Sequence, residues 1–148
     1  MRNRETSRPD RARKAAWLAN GIGLALMAAS IAVLVLFAER LMGMFTGDPD
    51  VIRIGAVYLR VVSPSYLFAV MAIVFGRALQ GAGDTMPPMV LTLMALWGLQ
   101  VPLALHLALR SVEASVMGVW VAINVATVVH GLLLTAWFLR GRWIHKQI

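Results

Sequence analysis

The chain has no cysteine among its 148 residues, so it forms neither a disulfide framework nor a thiolate metal site. Charged residues are also scarce, at 14% of the sequence against about a quarter in ordinary soluble domains. Hydrophobic residues supply 59% of the chain, and the mean hydropathy is +0.73. These values exclude an ordinary soluble domain and indicate a membrane protein.

Long stretches of the chain lack Asp, Glu, Lys and Arg altogether, and three of them exceed the ~20 residues that an α-helix needs to cross a bilayer. A fourth, shorter apolar stretch lies between Arg60 and Arg77, whose long side chains can carry their charge to the membrane interface. The sequence therefore predicts an all-α, multi-pass membrane helix bundle. Its transmembrane domain covers 15–139, with four transmembrane helices at about 15–38, 55–79, 85–109 and 114–139.

Positive charge is concentrated at the two ends of the chain. Residues 1–14 form a basic tail or truncated loop, and residues 140–148 form a basic C-terminus. Four crossings place both ends on one side, and an excess of Lys and Arg favours the cytoplasmic side. We therefore expect a protein of the cell (inner) membrane with both termini cytoplasmic. The net charge of +7 is then explained by topology and calls for no nucleic-acid partner.

Residues that carry chemistry are sparse within the predicted spans. No acidic residue lies deep in any of them, although proton and cation relays in membranes usually use buried Asp or Glu. His106, His130 and His145 are too scattered for a metal-ligand pair on one helix face, and no Ser–His–Asp set is evident. We expect each histidine to make a polar helix contact or lie at the interface. The sequence thus predicts no enzyme, with no catalytic residue, metal site or cofactor.

Proline and small residues predict how the spans bend and pack. Pro64 and Pro102 predict kinks, and the Pro64 kink frees a carbonyl that Ser63, Ser65 or water can engage. Such a kink marks either a moving part or a static bend. Small residues also recur every fourth position on the first and last helices, which predicts ridges for close helix packing. The ridge on the first helix comprises Gly21, Ala25 and Ala29. The ridge on the last helix comprises Gly118, Ala122 and Ala126, and His130 extends it.

The stretch FGRALQGAGDTMPPM, residues 75–89, interrupts the apolar chain between the second and third spans. Its Gly81-Ala82-Gly83 triplet permits a tight reversal with positive φ, and Asp84 or Thr85 can cap the next helix. Pro87 suits the first turn of that helix. The pattern predicts a short cytoplasmic hinge. A phosphate-binding loop is the alternative, but the Lys and the preceding strand of such loops are absent.

This hinge closely resembles the G-x-G-D-T-x-x-P signature near the end of the multidrug and toxic compound extrusion (MATE) transporters. Three further parts of the chain, 8–17, 41–60 and 119–143, resemble segments of that family in the same order. The resemblance covers about 8–143. The positions that fill the signature and its upstream part are Gly76, Leu79, Gly81, Gly83, Asp84, Thr85 and Pro88.

The resemblance implies a fold of twelve helices in two lobes, which exports cationic or amphipathic small molecules by alternating access. Such multidrug antiporters exchange xenobiotics for protons or sodium ions. The four spans resemble helices nine to twelve, so we expect a fragment, a partial lobe whose missing helices belong to a full-length parent or another chain. The site of the coupling ion, proton or sodium, is expected outside this chain. Sodium-coupled members carry an Asp in the tenth helix, whereas residues 61–76 contain no acid.

On the same resemblance, four residues become candidates for lining the inner surface of the lobe: Tyr66, Trp97, Asn124 and Thr127. For Asn124 and Thr127, which share a polar arc of the last helix, interhelical hydrogen bonding is an equal alternative. The function has two alternatives as well. One is a flippase of lipid-linked saccharides with the same architecture, and the other is a non-transporting four-helix membrane subunit that acts by interaction.

Overall fold

The structure of the chain, a computed structural model, describes residues 7–109 and 112–141, and these are helical apart from short connections. A single 3₁₀ turn, Ser63–Ser65, and a π-helix, Met94–Gln100, interrupt two of the spans. The α-helices are α1 Ser7–Leu36, α2 Ala38–Gly43, α3 Pro49–Val62, α4 Tyr66–Gly81, α5 Met86–Leu93, α6 Val101–Ala108 and α7 Val112–Leu139.

Four helical spans of the described chain are long and apolar enough to cross a membrane, which confirms the predicted all-α fold with four spans. They are Arg11–Leu36, Pro49–Gly81, Met86–Ala108 and Val116–Leu139. The second span consists of α3, the 3₁₀ turn and α4, and the third consists of α5, the π-helix and α6.

Helix α1 begins at Ser7, whereas the sequence predicted a tail or loop up to residue 14. Residues 11–16 are Arg, Ala and Lys, which are strong helix formers, and Pro9 is tolerated because it lies in the first turn. The polar character of this segment therefore marks where the chain leaves the membrane rather than where the helix ends. Residues 1–6 and 142–148, with His145, lie outside the described residues.

The connection between the first two spans is held by a helix cap and an ion pair. Asp48 is the N-cap of α3, and its Oδ1 accepts hydrogen bonds from the backbone N–H of Asp50 (2.9 Å) and Val51 (3.4 Å). Arg60 reaches back from α3 to place its Nη2 3.0 Å from Glu39 Oε1 on α2. Both charged groups are exposed, so this pair contributes at most about 1 kcal/mol.

The helix departs from α-helical geometry next to both prolines, but in different ways. At Pro64 the helix tightens into the 3₁₀ turn, and two buried hydroxyls engage backbone carbonyls: Ser63 Oγ donates to Leu59 O, and Ser65 Oγ donates to Val62 O at 2.8 Å. Before Pro102 the helix instead widens into the π-helix, which the sequence did not predict. π-Helical turns are rare in proteins overall, and those that do occur often lie at functional sites.

Phe75 on α4 is the centre of the core and joins three helices. It is fully buried, its ring centroid lies 5.2 Å from that of Trp17 on α1, and its ring stacks on Phe138 of α7 at 4.7 Å. Ala16, Ala72, Leu79 and Leu134 complete the buried cluster around it. Helix α4 therefore packs between α1 and α7.

The small-residue ridge of α7 packs as predicted, with Ala122 and Ala126 almost fully buried. Gly118 and Gly131 both allow close helix approaches. A Cβ at Gly118 would lie 2.8 Å from Leu107 Cβ, and one at Gly131 would lie 2.4 Å from Phe68 O.

Within the described chain, the Gly21, Ala25 and Ala29 ridge of α1 packs against no other helix, since all three residues are exposed. Helix α1 packs instead through Ala16 and Asn20, which are buried.

Candidate functional site

The predicted hinge between α4 and α5 is a Schellman motif, and it uses a glycine of the Gly81-Ala82-Gly83 triplet. Gly83 has φ 78° and lies one residue beyond the C-cap Ala82. The Asp84 N–H donates to Leu79 O at 2.9 Å, and the Gly83 N–H donates to Gln80 O at 3.0 Å, which is the hydrogen-bond pattern of that motif. Of the glycines in the triplet, Gly83 adopts positive φ, while Gly81 is the last residue of α4.

Asp84 is the buried polar residue of the hinge, with 3% of its surface exposed. The indole Nε1 of Trp137 on α7 donates to its Oδ2 at 3.3 Å. The Arg140 guanidinium lies over the Trp137 ring, 5.9 Å from its centroid. The hinge is thereby tied to the C-terminal end of the last span. Thr85 is the N-cap of α5 but makes no capping hydrogen bond through its side chain, and Pro87 lies in the first turn as predicted.

Replacing Gly83 with alanine is expected to destabilise the chain by about 1 kcal/mol, because a Cβ is disfavoured at positive φ. Gly81→Ala is the matched control two residues away. Gly81 is helical, and a Cβ added there would have nothing within 4 Å, so alanine is expected to be neutral or stabilising. Titration with a denaturing detergent, followed by tryptophan fluorescence, measures the stability of both variants. Equal effects of the two substitutions would contradict the assigned hinge geometry.

Next to the hinge, α4, α5 and α7 border an open cleft of about 460 Å³, within the size range of small-molecule sites. We call it the hinge cleft. Its lining comprises Ala69, Ala72, Ile73, Gly76, Arg77, Gln80, Pro88, Thr92, Thr127, His130 and Leu134.

Polar groups of the hinge cleft lie at two levels. Near the hinge, Arg77 Nη1 donates to Gln80 Oε1 at 3.3 Å. Further into the span, Thr92 Oγ1 on α5 and His130 Nε2 on α7 lie 2.9 Å apart in a hydrogen bond that crosses between the helices. Thr92 Oγ1 also donates to Pro88 O at 2.7 Å. No Asp or Glu is among the lining residues that the structure describes.

The four candidate lining residues from the sequence lie in different places. Thr127 lines the hinge cleft, and its Oγ1 donates to Ile123 O at 2.8 Å. Asn124 Nδ2 donates to Trp120 O at 2.8 Å, and Tyr66 is partly buried at the start of α4. Trp97 is 70% exposed on the π-helix. The structure thus brings only Thr127 of the four to this cleft.

The signature residues divide between the hinge and the cleft. Leu79, Gly81, Gly83, Asp84 and Thr85 form the hinge, whereas Gly76 and Pro88 line the cleft. Sequence reasoning did not single out Arg77, Gln80 and Thr92 as site residues. Their signal is weak, because it consists of single polar residues on the helices to either side of the hinge. Over the described residues, no group of three or more His, Cys, Asp or Glu side chains could hold a metal ion.

Comparison with known proteins gives the family. The family model described as MatE matches residues 6–106. The probable multidrug resistance protein NorM of Thermotoga maritima is 27% identical over 116 residues, which are 78% of this chain and 25% of that protein. The protein of the same name from Mesorhizobium japonicum is 32% identical over 141 residues, which are 90% of this chain and 30% of that protein.

The uncharacterized transporter YisQ of Bacillus subtilis is 27% identical over 126 residues, 83% of this chain and 27% of that protein. The chain thus spans between 25% and 30% of the length of these three relatives. No solved structure matches it. With a family model over more than half of its residues and four apolar spans, this chain is a multi-pass membrane protein that belongs to the MatE family.

Proposed function

We propose that this chain is part of a MATE-type multidrug efflux antiporter, in which it supplies four helices of one lobe. The observation that carries the proposal is the family match over residues 6–106. Relatives that cover most of the chain are named probable multidrug resistance proteins, which favours drug export over the flipping of lipid-linked saccharides.

The geometry suits a protein that alternates between two conformations. The second span contains a 3₁₀ turn, the third contains a π-helix, and the two are joined by a compact hinge. Interruptions of this kind are where membrane helices bend, and alternating access moves one group of helices against another. The hinge is tied to α7 through Asp84 and Trp137, so a bend in either span is transmitted to the last helix.

The cargo is proposed to be a cationic or amphipathic small molecule, exchanged for protons or sodium ions. The hinge cleft supplies no carboxylate among its described residues, so the negative charge for a cation or a coupling ion comes from elsewhere. We assign it to partner helices, which belong either to the same parent protein or to a second chain. Transporters of this kind bind substrate between two repeats near the bilayer midplane.

The proposed location is the cell (inner) membrane with both termini cytoplasmic. The basic residues near both ends of the chain support this orientation, as does the position of Arg77 at the hinge between two spans.

A chimera tests the function. This chain replaces the corresponding 30% of the Mesorhizobium japonicum relative in cells that lack their own major efflux pumps. We expect the chimera to lower the accumulation of ethidium, a cationic dye, as the intact relative does. The same relative with that segment deleted is the control, and it is expected to export nothing.

Two results would contradict the proposal. In the first, the chimera reaches the membrane in normal amounts but exports no better than the deletion. In the second, this chain alone forms a stable oligomer in detergent and does not associate with the rest of the relative, as expected of a non-transporting subunit. Export of a lipid-linked saccharide without dye export would instead support the flippase.

A further inference from the structure

Arg77 has no acidic partner among the described residues, unlike Arg53 and Arg60. Arg53 pairs with Asp50 at 3.3 Å, and Arg60 pairs with Glu39 at 3.0 Å. Arg77 instead donates to the neutral Gln80 side chain at 3.3 Å. A guanidinium has five N–H donors in a planar fork, so most of its hydrogen-bonding capacity is open to a ligand in the hinge cleft.

The charge of the hinge cleft is therefore positive. Its described lining contains one cation and no carboxylate, and Gln80 adds an amide beside the guanidinium. A cation that entered the cleft would meet Arg77 without a counter-charge, and the like-charge contact disfavours its binding. An oxyanion would meet a bidentate donor.

The polarity of the hinge cleft changes along its length. Arg77 and Gln80 lie in the last turns of α4, at the membrane interface, and Ala69 lies 11 residues before Gln80 on the same helix. At 1.5 Å per residue this is roughly 16 Å, about half the thickness of the hydrocarbon. Between these ends the α4 wall is apolar through Ala72, whereas the walls from α5 and α7 include the hydrogen bond between Thr92 and His130. The cleft thus has a charged mouth and an apolar wall along α4.

We propose that the hinge cleft binds an amphipathic oxyanion, with a carboxylate or phosphate held by Arg77 and Gln80 and an apolar chain lying along Ala69 and Ala72. An anionic phospholipid and a fatty-acid-like solute share this chemistry. The inference goes beyond the proposed function, because the names of the relatives say nothing of an anion site. Binding is measured without transport, so failure of the dye assay leaves it standing.

The test uses the full chain in phosphatidylcholine bilayers and four spin-labelled probes. Phosphatidylglycerol and stearate are the anions, phosphatidylcholine is the reference lipid, and a quaternary ammonium with the same chain is the cation. Electron paramagnetic resonance measures the immobilised fraction of each, at about pH 9 so that stearate is ionised while arginine keeps its charge. At least one anion is expected to associate about fivefold more strongly than phosphatidylcholine. This ratio corresponds to the attraction of one arginine for a nearby anionic group.

Four variants assign the effect to the cleft. Arg77→Gln is expected to abolish the preference for the anion, and Arg77→Lys to retain part of it. Arg53→Gln removes an equal charge from the opposite end of the second span and is expected to leave the preference for the anion unchanged. Ala69→Phe fills the deep end without changing charge and is expected to weaken binding of the anion. Circular dichroism verifies that each variant is folded.

The outcomes separate the possible ligands. Preference for both anions supports a lipid site, and preference for stearate alone supports a site for a solute. The proposal is overturned if neither anion is preferred, if the ammonium probe is preferred, or if Arg53→Gln reduces the preference as much as Arg77→Gln does.

Discussion

Gly131→Ala is expected to lower the stability of the helix bundle by about 2 kcal/mol, within the range for overpacked contacts. The new Cβ would lie 2.4 Å from the Phe68 carbonyl oxygen and 2.9 Å from Phe68 Cβ. A backbone carbonyl cannot rotate away as a side chain can, so α4 and α7 must separate. Helix association in a bilayer depends on close packing, because lipid offers no hydrophobic driving force between helices.

Two other glycines provide matched controls for this substitution. A Cβ at Gly76 would make an ordinary contact of 3.7 Å with Leu134 Cδ1, and one at Gly21 would have nothing within 4 Å. Alanine at either position is expected to be neutral or stabilising, because it favours the helix. Reversible unfolding by sodium dodecyl sulfate in lipid–detergent mixtures, followed by tryptophan fluorescence, ranks the three. If Gly131→Ala is as stable as Gly21→Ala, the α4 and α7 helices do not approach as closely as described.

The spans and the hinge were predictable because their signals are local. Hydropathy gives the number of crossings, and the Gly-Ala-Gly triplet followed by Asp-Thr gives the reversal. The choice of Gly83 over Gly81 for positive φ was not predictable, since it depends on where α4 ends. Thr85 shows the same limit, because an N-cap position favours a hydroxyl but does not determine that its side chain makes the capping bond.

The packed face of α1 could not be predicted, and the reason is physical. In water a helix buries its apolar face, but a membrane helix is apolar on all sides and its sequence does not mark which face is packed. Small residues line α1 on more than one side, and the structure packs Ala16 and Asn20 rather than Gly21 and Ala25. On α7 the small residues form one dominant ridge, and there the prediction is confirmed.

The polar pair of the hinge cleft could not be predicted either. Thr92 and His130 are 38 residues apart in sequence and meet only because α5 and α7 pack together. The π-helix has a comparable origin. Pro102 shows that a backbone donor is missing, but whether the helix kinks, tightens or widens depends on the neighbouring helices. At Pro64 two serines accompany a tightened turn, whereas no serine flanks Pro102.

Phe75→Ala has the largest expected effect, a loss of about 3 kcal/mol. This is the lower end of the range for Phe→Ala in soluble cores, because an unpacked phenylalanine in a bilayer still lies in an apolar medium. What is lost is packing: the fully buried ring contacts Trp17 on α1 and Phe138 on α7, and each aromatic pair adds about 0.5–1.5 kcal/mol. The same detergent titration measures the loss.

Two phenylalanine substitutions separate the contributions. Phe45→Ala removes a ring that is 84% exposed in the first connection and is expected to change stability by less than about 0.5 kcal/mol. Phe75→Leu keeps most of the apolar volume but removes both ring pairs, so an intermediate loss is expected. Equal stability of Phe75→Ala and Phe45→Ala would contradict the assigned core. Since Phe75 directly precedes Gly76 and Arg77 on α4, a loosened core is also expected to weaken anion binding in the hinge cleft, whereas Phe45→Ala leaves it unchanged.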